Sequence, residues 1–310
     1  MSAAVVPKGR RRRRLLERST PYWLILPILV AIGAVLGYPL YWLVRLSFKQ
    51  YELFNLIAHT GPSVGLHNFG SVLHDQVFWH TLLRTVIFTA INVGLTMVLG
   101  MLIALLLLRI SAWVRILLTS GLVLVWSMPV VVAVQLWIWM TNYENGVVNY
   151  ILAQVHLSGD QHDWYATTFS QLSMVTLLVV WGALPFVVIT LYAGLTQVPH
   201  DLLEAAAVDG ARPWRVFRDI TLPILRPILL ILTSLSIIWD FGVFTQAYLL
   251  IGQAKIHPGN YLMSVYLFEE GYFGTHFGRG AAISILMLVM VALLSIVYVR
   301  KMVRIGEETV

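Results

Sequence analysis

Apolar residues in this chain run in long unbroken blocks, without the alternation that a half-buried strand would show. Six blocks reach the roughly 20 residues that a helix needs to cross a bilayer core. They lie at about 22–44, 85–108, 116–140, 174–195, 228–251 and 281–299. No period of two runs through them, which favours helices over barrel strands. Trp and Tyr gather near several block ends, among them Tyr22, Trp23, Tyr41, Trp42, Trp137, Trp139 and Tyr143, as in an interfacial aromatic belt. The first block is too long for the 7–15-residue core of a signal peptide and no A-x-A site follows, so it reads as an uncleaved first span. Pro185 predicts a kink in the fourth. The pattern thus predicts an all-α membrane protein, a bundle of six transmembrane helices.

Composition sharpens this reading. The 310 residues are 58% hydrophobic and only 12% charged, with a mean hydropathy of +0.78. A soluble domain carries about 25% charged residues, so a soluble enzyme, a disordered chain and a repeat solenoid are poor fits. The absence of Cys excludes disulfides and thiol chemistry. The net charge of +6 is placed unevenly. Sixteen Lys and Arg fall in the N-terminal tail (Lys8, Arg10–Arg14, Arg18), the 2–3 loop (Arg109, Arg115), the 4–5 loop (Arg212, Arg215, Arg218, Arg226) and the C-terminal tail (Arg300, Lys301, Arg304), against five on the other side. The positive-inside rule then predicts both termini in the cytoplasm, with the Arg run anchored on anionic lipid and not on nucleic acid. The expected layout is a basic tail over 1–21, one membrane domain over 22–301 and a short cytoplasmic tail over 302–310.

Chemistry-bearing motifs are sparse. There is no G-x-x-x-x-G-K-[ST] phosphate cradle, no HExxH and no defensible Ser–His–Asp set. His156 and His162 share a loop with Asp160 and Asp163, but a solvated loop explains them better than a metal. Asp240 is the one acid deep in a block, flanked by Trp239; at a helix centre it costs about 2.5–3.5 kcal/mol on insertion scales. It reads either as a group on a translocation path or as a polar packing contact. Gln246, six residues on, is about 120° away around a continuous helix, which keeps the two off one stripe. Asn92 and Gln135 are weaker path candidates that helix–helix hydrogen bonding explains as well, and Trp181 reads as either a path or a packing residue.

The 4–5 loop differs from the rest. Over 199–223, Asp201 or His200 stands where a cap belongs, Glu204 completes a capping-box spacing, and Ala205–Ala207 give a slim face. Gly210 suits a left-handed helix end and Pro213 can open a second short helix. Pro223 and Pro227 are expected to reset the chain into span five. This is a helix–turn–helix at the membrane surface, whose Ala-rich first helix fits a partner's groove.

The segment resembles the EAA loop of binding-protein-dependent ABC importer permeases. Glu204-Ala205-Ala206, then Gly210, then Ile220, Leu222 and Pro223 reproduce the family spacing without gaps. Tyr38-Pro39, the Gly65–Phe69 stretch and Gly146 with Asn149 are similar to the carbohydrate subgroup, of the maltose and glycerol-phosphate permease type. The chain departs from it at 250–254, where Leu-Ile-Gly-Gln-Ala replaces T-x-G-G-P. The resemblance implies a plasma-membrane permease subunit that moves a sugar or oligosaccharide, with glycerol-phosphate as the alternative cargo. It implies a second homologous permease, an extracytoplasmic binding protein and an ATPase dimer that holds ATP and Mg, so this chain needs no cofactor and is not itself an enzyme. Glu204, Ala205, Ala206, Asp209, Gly210 and Pro223 would form the ATPase-coupling element. Asp240, Trp239, Gln246, Trp181, Gln135 and Asn92 would be the substrate-path candidates.

Overall fold

The computed structural model describes residues 23–308 apart from 59, 157–161 and 254, with side chains as far as Arg300. The basic N-terminal run, Tyr22, Asp160 and Ala254 therefore lie outside the described residues. Within them the fold is helical; the β-type pairing is an isolated bridge between Lys49 and Ser63.

Helix α1 spans Trp23–Ser47. Short helices α2 (Leu53–Ala58) and α3 (His67–Leu73) lead to α4, Gln76–Arg109. Helices α5 (Ala112–Ser127) and α6 (Val130–Met140) follow, then α7 (Val147–Gln154) and the long α8, Thr168–Leu195. Helix α9 covers His200–Val208, and α10 runs Pro213–Phe241. Short α11 (Thr245–Ile251) and α12 (Met263–Phe268) precede the last helix, α13, Phe277–Glu308.

Helix starts follow local chemistry. Asp75 caps α4 by accepting the Val77 N–H at 2.8 Å. Thr167 and Ser170 form a reciprocal capping box on α8. The central seam is α4 against α8. Gly100 lets the backbones approach there: a Cβ at this position would sit 2.6 Å from Val187 Cγ1. Gly194 plays the same part against Leu225 and Ile228 of α10. The C-terminal half of α1 packs on α13, but its apolar stretch is unburied among the described residues.

Four sequence expectations need correction. The third block is not one straight span: α5 and α6 meet at a 103° bend. The cause is Pro129, which lacks an N–H and drives Met128 out of the helical region, to ψ 128°. The fifth block is also broken. Helix α10 stops at Phe241, and α11 restarts at Thr245 after the Gly242–Phe244 link. Third, Pro223 and Pro227 do not reset the chain, because both lie inside α10. A π-turn over Phe217–Thr221 ends two residues before Pro223, and the wider turn removes the clash that a proline ring makes with the carbonyl four residues back. Helix α1 repeats the device, with a π-turn over Gly33–Gly37 before Pro39. Fourth, α9 has no capping box. Pro199 occupies the cap position without a side-chain bond, and Asp201 sits in the first turn, where its charge suits the helix dipole.

Three asparagines tie the connections at the end opposite α9. Asn68 donates to the carbonyls of Ser47 (2.8 Å) and Lys49 (2.9 Å), locking α3 to the end of α1. Asn149 donates to the carbonyls of Tyr143 (3.2 Å) and His162 (3.0 Å) and accepts the Trp164 indole N–H (2.8 Å). Asn260 donates to Gln171 Oε1 at 2.9 Å. The Asn68 and Asn149 stretches singled out in the sequence thus carry the loop architecture. At the same end, Arg279 joins Asp75 and Glu270, and the Tyr266 hydroxyl donates to Asp75 at 3.0 Å.

Candidate functional site: an interhelical cavity and a surface helix

The two broken spans face each other across α8. Between them lies a cavity of about 420 Å³. Its walls are the end of α10 and the Gly242–Phe244 link with the first turn of α11, the middle of α8, and the α5–α6 corner. Discontinuous membrane helices are a recurrent way to place polar groups at mid-membrane depth, since unwound backbone is tolerated where it lines a cavity.

Four of the six path candidates line this space: Asp240, Trp239, Gln246 and Trp181. The break explains why Gln246 joins Asp240 despite the helical-wheel argument. The chain unwinds between them, so their angular offset on one continuous helix no longer applies. Asp240 is 5% exposed and forms no ion pair among the described residues. Aromatic rings crowd the same wall: Phe186 meets Trp239 at 5.5 Å and stacks on Trp126 at 6.1 Å. Pro185 sits inside α8, which continues past it, and leaves the Trp181 carbonyl without its usual helical donor at the cavity edge.

The other two candidates fall elsewhere. Gln135 is exposed on α6 and does not line the cavity. Asn92 is fully buried between α4 and α8, where it donates to the Phe88 carbonyl at 2.8 Å and to Thr176 Oγ1 at 3.4 Å. It is an interhelical contact. Sequence reasoning missed Trp126, Phe186 and Phe244, which also line the cavity. Pro129 and Gly242 were the available signals for Trp126 and Phe244, since each marks a break close to one of these rings; Phe186 lies on the continuous α8. Among the described residues no group of three His, Asp or Glu could hold a metal; His162 instead packs its ring edge-on to Trp164 at 4.6 Å.

The second feature is α9 with its turn. Helix α9 ends in a complete Schellman motif: Gly210 N–H donates to the Ala207 carbonyl (3.1 Å) and Ala211 N–H to the Ala206 carbonyl (2.9 Å), with Gly210 at φ +70°. Glu204, Ala205 and Asp209 are exposed and Ala206 is half-buried. Behind them is a recess of about 740 Å³, lined by Ala206, Asp209, Gly210, Trp214, Arg215 and Asp219. Val208 is 88% exposed and Trp214 70%, an apolar surface that the described residues leave largely uncovered. Exposed apolar side chains rimmed by charge mark an interaction surface. Pro223 lies at the far side of the π-turn, in the first turns of the stiff α10.

The chain is similar to known transport proteins. Residues 96–303 match the family described as "binding-protein-dependent transport system inner membrane component". The chain is 40% identical over 305 residues to the diacetylchitobiose uptake system permease protein DasB of Streptomyces coelicolor, covering 97% of this chain and 92% of DasB. It is 33% identical to the trehalose/maltose transport system permease protein MalF of Thermococcus litoralis, covering 92% and 94%. Its fold matches a chain of the bacterial alginate ABC transporter solved in complex with an alginate pentasaccharide-bound periplasmic protein, with a TM-score of 0.75 at 20% identity over 92% of this chain and 94% of that one. With an apolar helix set able to supply six spans, the chain belongs to the family of binding-protein-dependent inner-membrane components, as a multi-pass permease subunit of an ABC importer and not an enzyme in its own right.

Proposed function

We propose that this subunit passes an uncharged di- or oligosaccharide into the cytoplasm through the cavity between the two broken spans. The observation that carries this is the wall itself: one buried carboxylate, Asp240, among Trp181, Trp239 and Phe186. A carboxylate accepts hydrogen bonds from sugar hydroxyls, and the apolar faces of pyranose rings stack on aromatic side chains. The relatives named for diacetylchitobiose and trehalose/maltose uptake support a sugar cargo. The same carboxylate repels a phosphate ester, so a glycerol-phosphate cargo is the less suited alternative.

The basic residues of the 4–5 loop support an orientation with α9 and both termini in the cytoplasm. In that orientation α9 is the coupling element. Glu204 would meet a basic residue of a partner ATPase, the Ala face would sit in its cleft, and α10 would carry the motion through the π-turn to Asp240. ATP and Mg would be held by that ATPase dimer. A second homologous permease would complete the pathway, and an extracytoplasmic binding protein would deliver the sugar.

The test is uptake by the complete importer in proteoliposomes. Asp240→Asn replaces charge-assisted hydrogen bonds by neutral ones, roughly half as strong, and is expected to lower sugar uptake about 5–15-fold with subunit assembly intact. Trp239→Leu is expected to weaken uptake without altering ATPase association. Wild-type uptake in both variants, or faster uptake of a phosphorylated substrate than of its neutral sugar, would overturn the assignment.

A further inference from the structure

A groove of about 720 Å³ runs between α4 and α8 on their other side, away from the Asp240 cavity. The α4 stripe is His80, Arg84, Ile87, Ile91 and Leu95. Its 15-residue spread makes the groove about 22 Å long. Leu172, Thr176 and Leu177 of α8 form the facing wall. Leu83, Ile87, Ile91, Leu95 and Leu177 are each 41–59% exposed, so the described residues leave the apolar floor uncovered.

Its depth can be worked out from each helix separately, using the cytoplasmic orientation proposed for α9. Counting about 20 residues outward from Leu108 at the cytoplasmic end of α4 puts the edge of the hydrocarbon near Phe88. Arg84 then lies one turn above that edge, at headgroup level. The same count from Leu195 on α8 reaches Val175, with Ser173 two residues above it. Both helices thus place the polar mouth of the groove at the outer headgroups and its apolar floor in the acyl region.

The mouth is cationic. Among the described residues no Asp or Glu lines the groove. Arg84 Nη1 donates to the carbonyls of Tyr261 (2.8 Å) and Pro258 (3.2 Å), which fixes the guanidinium in place. Arg84 pairs with no acid among the described residues. A guanidinium has five donors in a planar fork suited to phosphate oxygens, and two carbonyls do not exhaust them.

We propose that the groove binds one anionic phospholipid of the outer leaflet, with its phosphate on Arg84 beside His80 and Ser173 and an acyl chain along Ile87, Ile91 and Leu95. The site is separate from the sugar cavity, and the reading of the transported substrate does not depend on it. It rests on the orientation proposed above.

The complete importer, purified and stripped of lipid, is titrated with phosphatidylglycerol or phosphatidylcholine and followed by native mass spectrometry. We expect one phosphatidylglycerol to be retained under conditions that remove phosphatidylcholine. Arg84→Gln should reduce that retention about tenfold, Arg84→Lys should keep most of it, and Ile91→Trp should lose it by filling the groove with the charge in place. Equal retention of the two lipids by the wild type would overturn the proposal, as would unchanged retention in Arg84→Gln. A photo-crosslinker at Ile91 that captures a helix of the companion permease instead of lipid would overturn it too. Reconstituted sugar uptake, measured in parallel, reports on the Asp240 cavity independently.

Discussion

Gly210 offers the sharpest test of how α9 is held. Its φ of +70° lies in the left-handed region, and a Cβ built there would meet nothing within 4 Å. Steric neighbours therefore contribute nothing, and the cost of a side chain is the backbone term alone. For an L-residue that term is roughly 1–2 kcal/mol, and it is highest for β-branched side chains and lowest for Asn, which tolerates this region. In Gly210→Val the strain can be relieved only by releasing the Gly210–Ala207 and Ala211–Ala206 bonds that set the angle between α9 and α10. A penalty of 1–2 kcal/mol shifts a two-state equilibrium about 5–30-fold. The assay is sugar taken up per ATP hydrolysed in proteoliposomes containing the complete importer. Gly210→Val is expected to lower that ratio by about this factor, with normal membrane insertion, while Gly210→Asn stays near wild type. A Val variant that couples normally, or an Asn variant as impaired as Val, would refute the argument.

Other outcomes follow from the loop staples. Asn149→Leu leaves the Tyr143 and His162 carbonyls and the Trp164 indole without their partner, at about 0.5–1.5 kcal/mol for each lost bond. A drop in the thermal midpoint of the purified importer, with Asn149→Asp intermediate, is the expected reading. Gly278→Ala would place a Cβ 2.2 Å from the Lys49 carbonyl oxygen and 3.0 Å from Asn68 Nδ2. Neither is a flexible tip, so we expect loss of about 1–3 kcal/mol and poor yield of assembled protein, measured by size-exclusion chromatography. Pro129→Ala restores a helical donor at the α5–α6 corner, and a straighter third span should narrow the cavity and slow uptake while ATPase association persists.

The sequence alone determined the solvent of this fold and the helix–turn–helix of the 4–5 loop. Transfer free energy depends on local composition, so six apolar blocks announce a membrane bundle whatever their packing. Charge placement likewise needs no tertiary knowledge to predict an orientation. The α9 segment was legible because its signals are local: acids early in the helix, three alanines, and a glycine whose left-handed conformation closes a bond between residues five apart. The capping-box spacing goes unused there, because Pro199 already supplies an extended cap and leaves Asp201 inside the helix.

Tertiary structure decided where the broken spans meet. Pro129 and Gly242 are visible in the sequence, but a breaker inside an apolar block does not say whether the helix bends, widens or stops. Pro223 is absorbed by a π-turn, Pro185 by a helix that continues, and Pro129 by a 103° corner. Which outcome prevails depends on what packs against the freed backbone, and that is set by helices far away in the chain. The same long-range packing separates Asn92, buried against α8, from Asp240 and Gln246, which share a cavity only because the chain unwinds between them.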